Sequence, residues 1–226
     1  MRTVAFCEID PFARSVLAKH WPHVPCYDDV RSLTADRLRS DGITVDAICG
    51  GFPCQDVSAG GARVGIGGAR SGLWSEYARL IDELRPGIVI VENVSGLLDR
   101  GLDVVLGTLA SLGYDAEWHG IPATALGFPH ERDRIWIVAY PAALRRDEGS
   151  RSPEGWGRLV WSWLHRGAHA RAEAANDDEI RSAFVRVVHG IPHHVDRLGS
   201  LGNAVVPQIP EIIGRAIMTL SSQKQD

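Results

Sequence analysis

Apolar positions in the first 140 residues alternate between two rhythms. Largely apolar runs at residues 3–7, 45–49, 88–91 and 135–139 predict strands, because a strand buried on both faces loses the polar alternation of a half-exposed one, and residues 114–121 are a further candidate strand. Between them, residues 11–20, 73–84 and 102–112 carry apolar positions at helical spacing. Asp10 stands where an N-cap belongs, with Pro11 in the first turn. Arg85-Pro86-Gly87 ends the second helix, and Gly113 closes the third. Strand and helix alternating in this way predict an α/β fold with a mainly parallel sheet covered on both faces.

The rhythm breaks after residue 140. Between 141 and 171 the chain holds six arginines against three acids, together with Trp156, Trp161 and Trp163. Prolines and glycines are frequent there, so loops with one or two short helices are expected. Residues 205–220 then predict a final amphipathic helix through Ile209, Ile212, Ile213, Ala216, Ile217 and Leu220. Three parts result: an α/β region at 1–140, an irregular segment at 141–200, and a stretch with a final helix at 201–226 that is expected to pack back on the first part.

Composition narrows the class. The 226 residues are 45% hydrophobic and 23% charged, ordinary for a globular protein that buries a sizeable core. No run of about 18 apolar residues occurs, so no membrane span is expected. Glu8, Asp10 and Arg14 interrupt any signal-like apolar stretch near the N-terminus. The four cysteines, Cys7, Cys26, Cys49 and Cys54, fit reduced thiols of a cytoplasmic protein better than a disulfide framework. A net charge of −4 gives no global signature of nucleic-acid binding, but it leaves room for a local basic face. Nearly all the basic residues are arginine, which offers bidentate contacts to phosphates and base edges. His165 and His169 have helical i, i+4 spacing but no third ligand nearby, so no metal is expected.

Chemistry-bearing residues cluster where strands end. In an open parallel sheet, ligands bind at the carboxyl ends of strands. Glu8 follows the first apolar run, Pro53-Cys54 the second, and Glu92-Asn93-Val94 the third. A thiol and a carboxylate on neighbouring strand ends make a plausible nucleophile and acid/base pair. The plain alternative is a buried cysteine in a tight loop and a carboxylate capping the next helix. A nicotinamide enzyme on such a sheet is a weaker reading, because no Gly-x-Gly-x-x-Gly follows a first strand.

Four stretches, in their order along the chain, carry a resemblance. Gly50-Gly51-Phe52-Pro53-Cys54-Gln55, Glu92-Asn93-Val94, Arg132-Asp133-Arg134 and Gly202-Asn203-Ala204-Val205 resemble the motifs of the C5-cytosine DNA methyltransferases. The resemblance implies a Rossmann-like sheet that uses S-adenosylmethionine as methyl donor and double-stranded DNA as substrate. Cys54 matches the family's nucleophile. Glu92 matches the carboxyl group that contacts the base and gives a proton as the thiolate adds. Arg132 and Arg134 match an arginine pair that holds the base carbonyl and orders the catalytic loop and carboxylate. Glu8 and Ile9 match positions on the cofactor's ribose and adenine, and Asp29 and Val30 further adenine contacts. Pro53, Leu73, Asn203 and Ala204 match positions lining the cofactor. Gln55, Ser58, Arg63, Arg70, Asn93 and Val94 are expected toward DNA or the flipped base. The stretch from Ser58 to Gly72 holds six glycines and resembles the catalytic loop that closes over DNA.

Two departures from the family accompany the match. The family opens with a strand and a Phe-x-Gly-x-Gly-Gly loop around the methionine part of the cofactor, whereas this chain starts at the stretch resembling the second strand. The sheet is therefore expected to lack its first strand and to leave neighbouring edges unpaired. Translation starting further upstream, a truncated gene or a piece supplied by another chain would each account for this. The second departure is a minimal target-recognition segment within 145–171. Arg145, Arg146 and Arg151 are at most phosphate contacts there, and the tryptophans pack a small core or face DNA. The function implied is DNA (cytosine-5-)-methyltransferase, a monomer of bacterial or phage origin, linked to restriction–modification or phage DNA protection with a cognate endonuclease as a possible partner. The alternative is a catalytically inactive truncated remnant that binds DNA weakly at most.

Overall fold

The structure is a computed structural model that describes residues 1–53, 72–128, 132–145, 160, 162 and 205–222. The described elements run β1 (Phe6–Cys7), α1 (Pro11–His20), β2 (Cys26–Tyr27), α2 (Ala35–Ser40), β3 (Ala47–Gly51), α3 (Gly72–Leu84) and β4 (Ile88–Val94). They continue with α4 (Leu97–Arg100), α5 (Leu102–Ser111), β5 (Tyr114–Pro122), β6 (Asp133–Pro141) and α6 (Gln208–Ser222). Two 3₁₀ turns, Ala123–Leu126 and Ala142–Arg145, follow β5 and β6. The fold is α/β, as the alternating pattern predicts.

The sheet departs from the mainly parallel expectation. One four-stranded sheet has the order β3-β4-β6-β5, and a separate two-stranded sheet pairs β1 with β2. β3 and β4 are parallel, with Ala47 opposite Ile88 and Gly51 opposite Glu92. β6 runs antiparallel to β4, from Val89 opposite Ala139 to Val94 opposite Arg134. A strand buried on both faces reads as one apolar run in either direction, so its pattern does not encode polarity. Ile135 through Tyr140 are all buried, as expected for a strand flanked on both sides. Among the described strands, β1 pairs only with β2 and β3 only with β4. The outer strand β3 is accordingly exposed at Ala47, Cys49, Gly50 and Gly51.

Other boundaries move by a residue or two. β3 spans Ala47–Gly51 rather than residues 45–49, and β4 runs on through Glu92, Asn93 and Val94. These three residues were expected after the strand, because their polarity marks an end. Backbone pairing to both neighbours carries the strand through them. β2, α2 and α4 were not foreseen, being two, six and four residues long, too short to show a period.

The first 120 residues, with Arg134–Ser152, form one compact unit. Its core is built by Val89 and Val91 of β4, Ile135, Ile137 and Ala139 of β6, Trp74, Tyr77 and Ile81 of α3, and Val105 and Leu109 of α5. Burying a Val, Leu or Ile side chain fully contributes about 1.5–3 kcal/mol, so this cluster dominates the unit's stability. A second cluster centres on Leu33, Leu38 and Leu80, joining α2 to α3. Arg79 fastens that junction. It donates to the carbonyls of Val30 and Leu33, both at 2.9 Å, and pairs with Glu76 and Glu83. Glu83 in turn accepts from the Ala35 amide at 2.9 Å. Residues Ile121–Asp133 and Pro153–Asp226 form the second unit, in which Ile209, Ile213, Ala216 and Ile217 of α6 are buried. Among the described residues no helix is long and apolar enough to cross a membrane.

Helix α1 starts as the sequence predicts. The Asp10 carboxylate accepts from the amides of Phe12 and Ala13 at 2.7 and 2.9 Å, and Pro11 occupies the first turn. None of the helix's residues is buried, so capping matters more here than packing. Asp10→Ala is expected to lower stability by about 1 kcal/mol in urea unfolding followed by circular dichroism. An unchanged midpoint would show that the cap contributes nothing.

Candidate active site

Backbone pairing between β3 and β4 sets the site. Both strands run toward the same edge, so the Phe52-Pro53 exit from β3 emerges beside Glu92-Asn93-Val94. Alternation along β4 turns Val89, Val91 and Asn93 into the core and puts Ile90 and Glu92 on the opposite face. Asn93 is the buried polar residue among the described ones, at 4% exposure. Its side-chain amide donates to the Phe52 carbonyl at 2.9 Å, and its Oδ1 accepts from the Val94 amide at 2.9 Å. A buried amide so satisfied adds stability, and here it fixes the backbone two residues before Cys54.

The Phe52 side chain is anchored as well. Its ring lies 5.1 Å from that of Trp74, which meets Tyr77 edge-on at 5.8 Å. The Tyr77 hydroxyl donates to the Ile90 carbonyl at 3.0 Å, returning the stack to β4. Burial pushes the Tyr77 phenol well above its ordinary value, so it stays neutral. Sequence reasoning missed this aromatic brace. Its signal was the helical spacing of Trp74 and Tyr77 across from an apolar residue in a glycine-proline loop.

Glu92 is held from the other side. Arg134, two residues into β6, stands opposite Val94 and so lies diagonal to Glu92, within reach of a long side chain. Its Nε approaches Glu92 Oε1 at 3.0 Å, with the side chains 19% and 18% exposed. At that degree of burial a charge-assisted bond is screened less than a surface pair. The carboxylate therefore has a fixed orientation at the strand edge. Val94, next along the chain, is 38% exposed and Leu98 44%, giving an apolar margin beside the carboxylate. The structure thus brings together Pro53, Glu92, Asn93, Val94 and Arg134. Arg132 belongs to the second unit, where its carbonyl accepts from the Ala123 amide at 3.1 Å.

A second group gathers where β1 and β2 end. The Glu8 amide donates to the Tyr27 carbonyl at 2.9 Å, holding the two strand ends together. Glu8 Oε1 accepts from the Asp10 amide at 2.8 Å, and Ile9 between them is 63% exposed. Asp29 receives the Arg31 amide at 2.9 Å and its guanidinium at 2.6 Å. Arg31 holds the Asp29 carboxyl below the usual range. Val30 is fixed through its carbonyl by Arg79. Leu73, in the first turn of α3, packs on the main core. Among the described residues no group of three or more His, Cys, Asp or Glu side chains could hold a metal ion.

Cys54, Gln55, Ser58, Arg63, Arg70, Asn203 and Ala204 lie outside the described residues, as do Arg146, Arg151, the three tryptophans of 156–163 and the histidines at 165 and 169. Three other thiols are described and free. Cys7 is pushed up to about 11, first by burial and then by its neighbours Cys26, Asp29, Glu8 and Asp28. Burial also raises Cys49. Both are poor nucleophiles near neutral pH, where the thiolate is scarce.

Comparison with known proteins gives the chain's relatives. A family model described as C-5 cytosine-specific DNA methylase matches residues 1–157. The type II methyltransferase M2.BsuMI of Bacillus subtilis is 36% identical over 145 residues, covering 61% of this chain and 36% of that protein. The type II methyltransferase M.CviJI of Paramecium bursaria Chlorella virus IL3A is 34% identical over 146 residues, covering 64% and 38%. The chain thus spans little more than a third of the length of these relatives. A solved structure described as a DNA modification methyltransferase encoded within an E. coli prophage superposes with a TM-score of 0.53 at 25% identity, over 68% of this chain and 43% of that one. A Spodoptera frugiperda DNMT2 structure shares the fold, with a TM-score of 0.51 at 20% identity over 66% and 45%. With the matched model covering well over half of its residues, the chain belongs to the C-5 cytosine-specific DNA methylase family.

Proposed function

We propose that this chain carries the chemical centre of a DNA (cytosine-5-)-methyltransferase, with S-adenosylmethionine as methyl donor and cytosine in double-stranded DNA as acceptor. The observation that carries the reading is the Glu92 carboxylate, oriented by Arg134 at the strand edge beside the exit toward Pro53-Cys54.

The chemistry asks for that pairing. Carbon 5 of cytosine is a weak nucleophile until a thiolate adds at carbon 6. The Cys54 thiolate forms that bond, and Glu92, entering the step as a protonated carboxyl that has taken its proton from water, gives that proton to N3, so the ring gains electron density at carbon 5 without a full negative charge. A carboxyl group performs this step only if it reaches N3 in a set direction, and the Arg134 bond supplies the direction. Arg132 is assigned to the base carbonyl. After methylation a water takes the carbon 5 proton, the electrons of that bond expel the Cys54 thiolate, and N3 returns its proton to Glu92, which restores the ring. A side chain at a sheet edge cannot reach a base inside a duplex, so the cytosine must be flipped out, at a cost of a few kcal/mol. Asn93 and the aromatic brace keep the nucleophile loop anchored while this happens.

The residues at the β1–β2 end fit the methyl donor. Glu8 offers a carboxylate for ribose hydroxyls, Ile9 an exposed apolar face for adenine, and Asp29 a carboxylate that the exposed Arg31 side chain can yield to an adenine amino group. Pro53, Leu73, Asn203 and Ala204 complete the assigned lining. S-adenosylmethionine supplies the electrophilic methyl group. Gln55, Ser58, Arg63 and Arg70 are assigned to DNA, and residues 141–200 to a short recognition segment. The setting is restriction–modification or protection of phage DNA in a bacterial cytoplasm, with a cognate endonuclease as partner.

Three outcomes test the proposal. Transfer of labelled methyl from S-adenosylmethionine to mixed-sequence DNA is expected in the wild type and absent in Cys54→Ser at unchanged circular dichroism. Glu92→Gln is expected to keep about 10⁻² to 10⁻⁴ of the rate. Turnover retained in Cys54→Ser would rule the mechanism out. S-adenosylmethionine at about a hundredfold over Kd is expected to stabilise the fold by about 2.7 kcal/mol in thermal unfolding. No stabilisation, together with no transfer, would favour the inactive remnant. Iodoacetamide labelling mapped by mass spectrometry is expected to be slow at Cys7 near neutral pH and to rise as pH approaches about 11. Equal rates at Cys7 across that range would contradict the upward shift of its thiol.

A further inference from the structure

Gly51 and Glu92 face each other across the β3–β4 pair, and the space between them is tight. A Cβ placed on Gly51 would stand 3.0 Å from Glu92 Oε2 and 3.1 Å from the Glu92 carbonyl oxygen. A Cβ on the preceding Gly50 would meet only the end of the Tyr77 ring, at 3.9 Å, an ordinary contact. Neither glycine has a left-handed backbone conformation, so conformational freedom does not explain why Gly51 lacks a side chain. What a side chain at Gly51 would crowd is Glu92 alone, at its carboxylate oxygen and at its backbone carbonyl oxygen, and of the two only the carboxylate can turn aside. Glu92 Oε1 is held by Arg134 on the β6 side, and Oε2 is turned toward the β3 side, over Gly51.

We infer that Gly51 is a positioning residue for the Glu92 carboxyl. Its missing side chain lets Oε2 settle over β3 while Oε1 keeps its bond to Arg134. A methyl group there asks Oε2 to give way by a few tenths of an ångström, which turns the carboxyl against the Arg134 bond that holds Oε1. Gly51 touches no reacting atom and acts only through Glu92. This inference rests on the proton-donating role proposed for Glu92, but the geometry it depends on can be tested without turnover.

Gly51→Ala, Gly50→Ala, Glu92→Ala and the double variant Gly51→Ala/Glu92→Ala are compared with the wild type in methyl transfer and in thermal unfolding. Gly51→Ala is expected to lower kcat by about tenfold to a hundredfold with KM for DNA unchanged, as a misplaced reacting group does. Gly50→Ala is expected to behave as the wild type. The loss of melting temperature caused by Gly51→Ala is expected to shrink on the Glu92→Ala background, where the carboxyl is gone. Should Gly51→Ala alone fail to fold, recovery of folding in the double variant gives the same answer. Gly51→Ala as active as Gly50→Ala, an equal melting loss on both backgrounds, or a double variant as unfolded as the single would overturn the inference. A wild type without methyl transfer would count against the proposed function, while the melting comparison would still decide the role of Gly51.

Discussion

Backbone hydrogen bonds between β3 and β4 seat Gly51 opposite Glu92, and that single register decides where the chemistry stands. Side chains alternate along a strand, so a slip of one residue would turn Glu92 into the core and expose Asn93 to the other face. The buried Asn93 resists such a slip, because its amide has a partner only while the Phe52 carbonyl stays where it is. The aromatic contacts from Phe52 through Trp74 and Tyr77 to the Ile90 carbonyl close a second tie between the same two strands. Register, polar bond and aromatic brace therefore specify one arrangement together, which is how a sheet edge holds a reacting group within a fraction of an ångström.

Charge is handled differently at the two groups of site residues. Glu92 sits four-fifths buried with the Arg134 guanidinium on its Oε1, which orients it. Glu8 and Asp29 lie among backbone amides, with Arg31 on a solvated side chain beside Asp29. An exposed ion pair such as Arg31–Asp29 is easily rearranged. On the function proposed above, the first arrangement to suit a polar ligand that comes and goes is this exposed pair, and the Glu92 arrangement suits a group that must keep its direction.

The strand and helix pattern was legible where elements are long. Helices α1, α3 and α5 lie within a residue or so of their sequence-read bounds, since eight or more residues display a period. Strand direction was not legible, because the apolar run from Ile135 to Tyr140 has the same pattern read from either end. β2 is two residues long and leaves no pattern at all. In the site, Glu92 and Arg134 stood out by residue type and by motif. Gly51 did not, since a glycine beside a loop is ordinarily read as freedom to bend. Its reason is a neighbour 41 positions away in sequence, which only the pairing of strands reveals.

The reversal of β6 has a consequence for how such a protein can change over generations. An antiparallel strand begins where its parallel neighbour ends, so Arg134 reaches the Glu92 edge from the start of β6 rather than from its finish. The guanidinium is located by the ladder it sits in, and the length of chain leading into the strand has no say in its position. Segments on either side of β6 are thus free to lengthen, shorten or be exchanged without moving the group that orients the carboxylate. A lineage built this way can acquire new recognition elements around an unaltered reaction centre, and drift in the one is insulated from selection on the other.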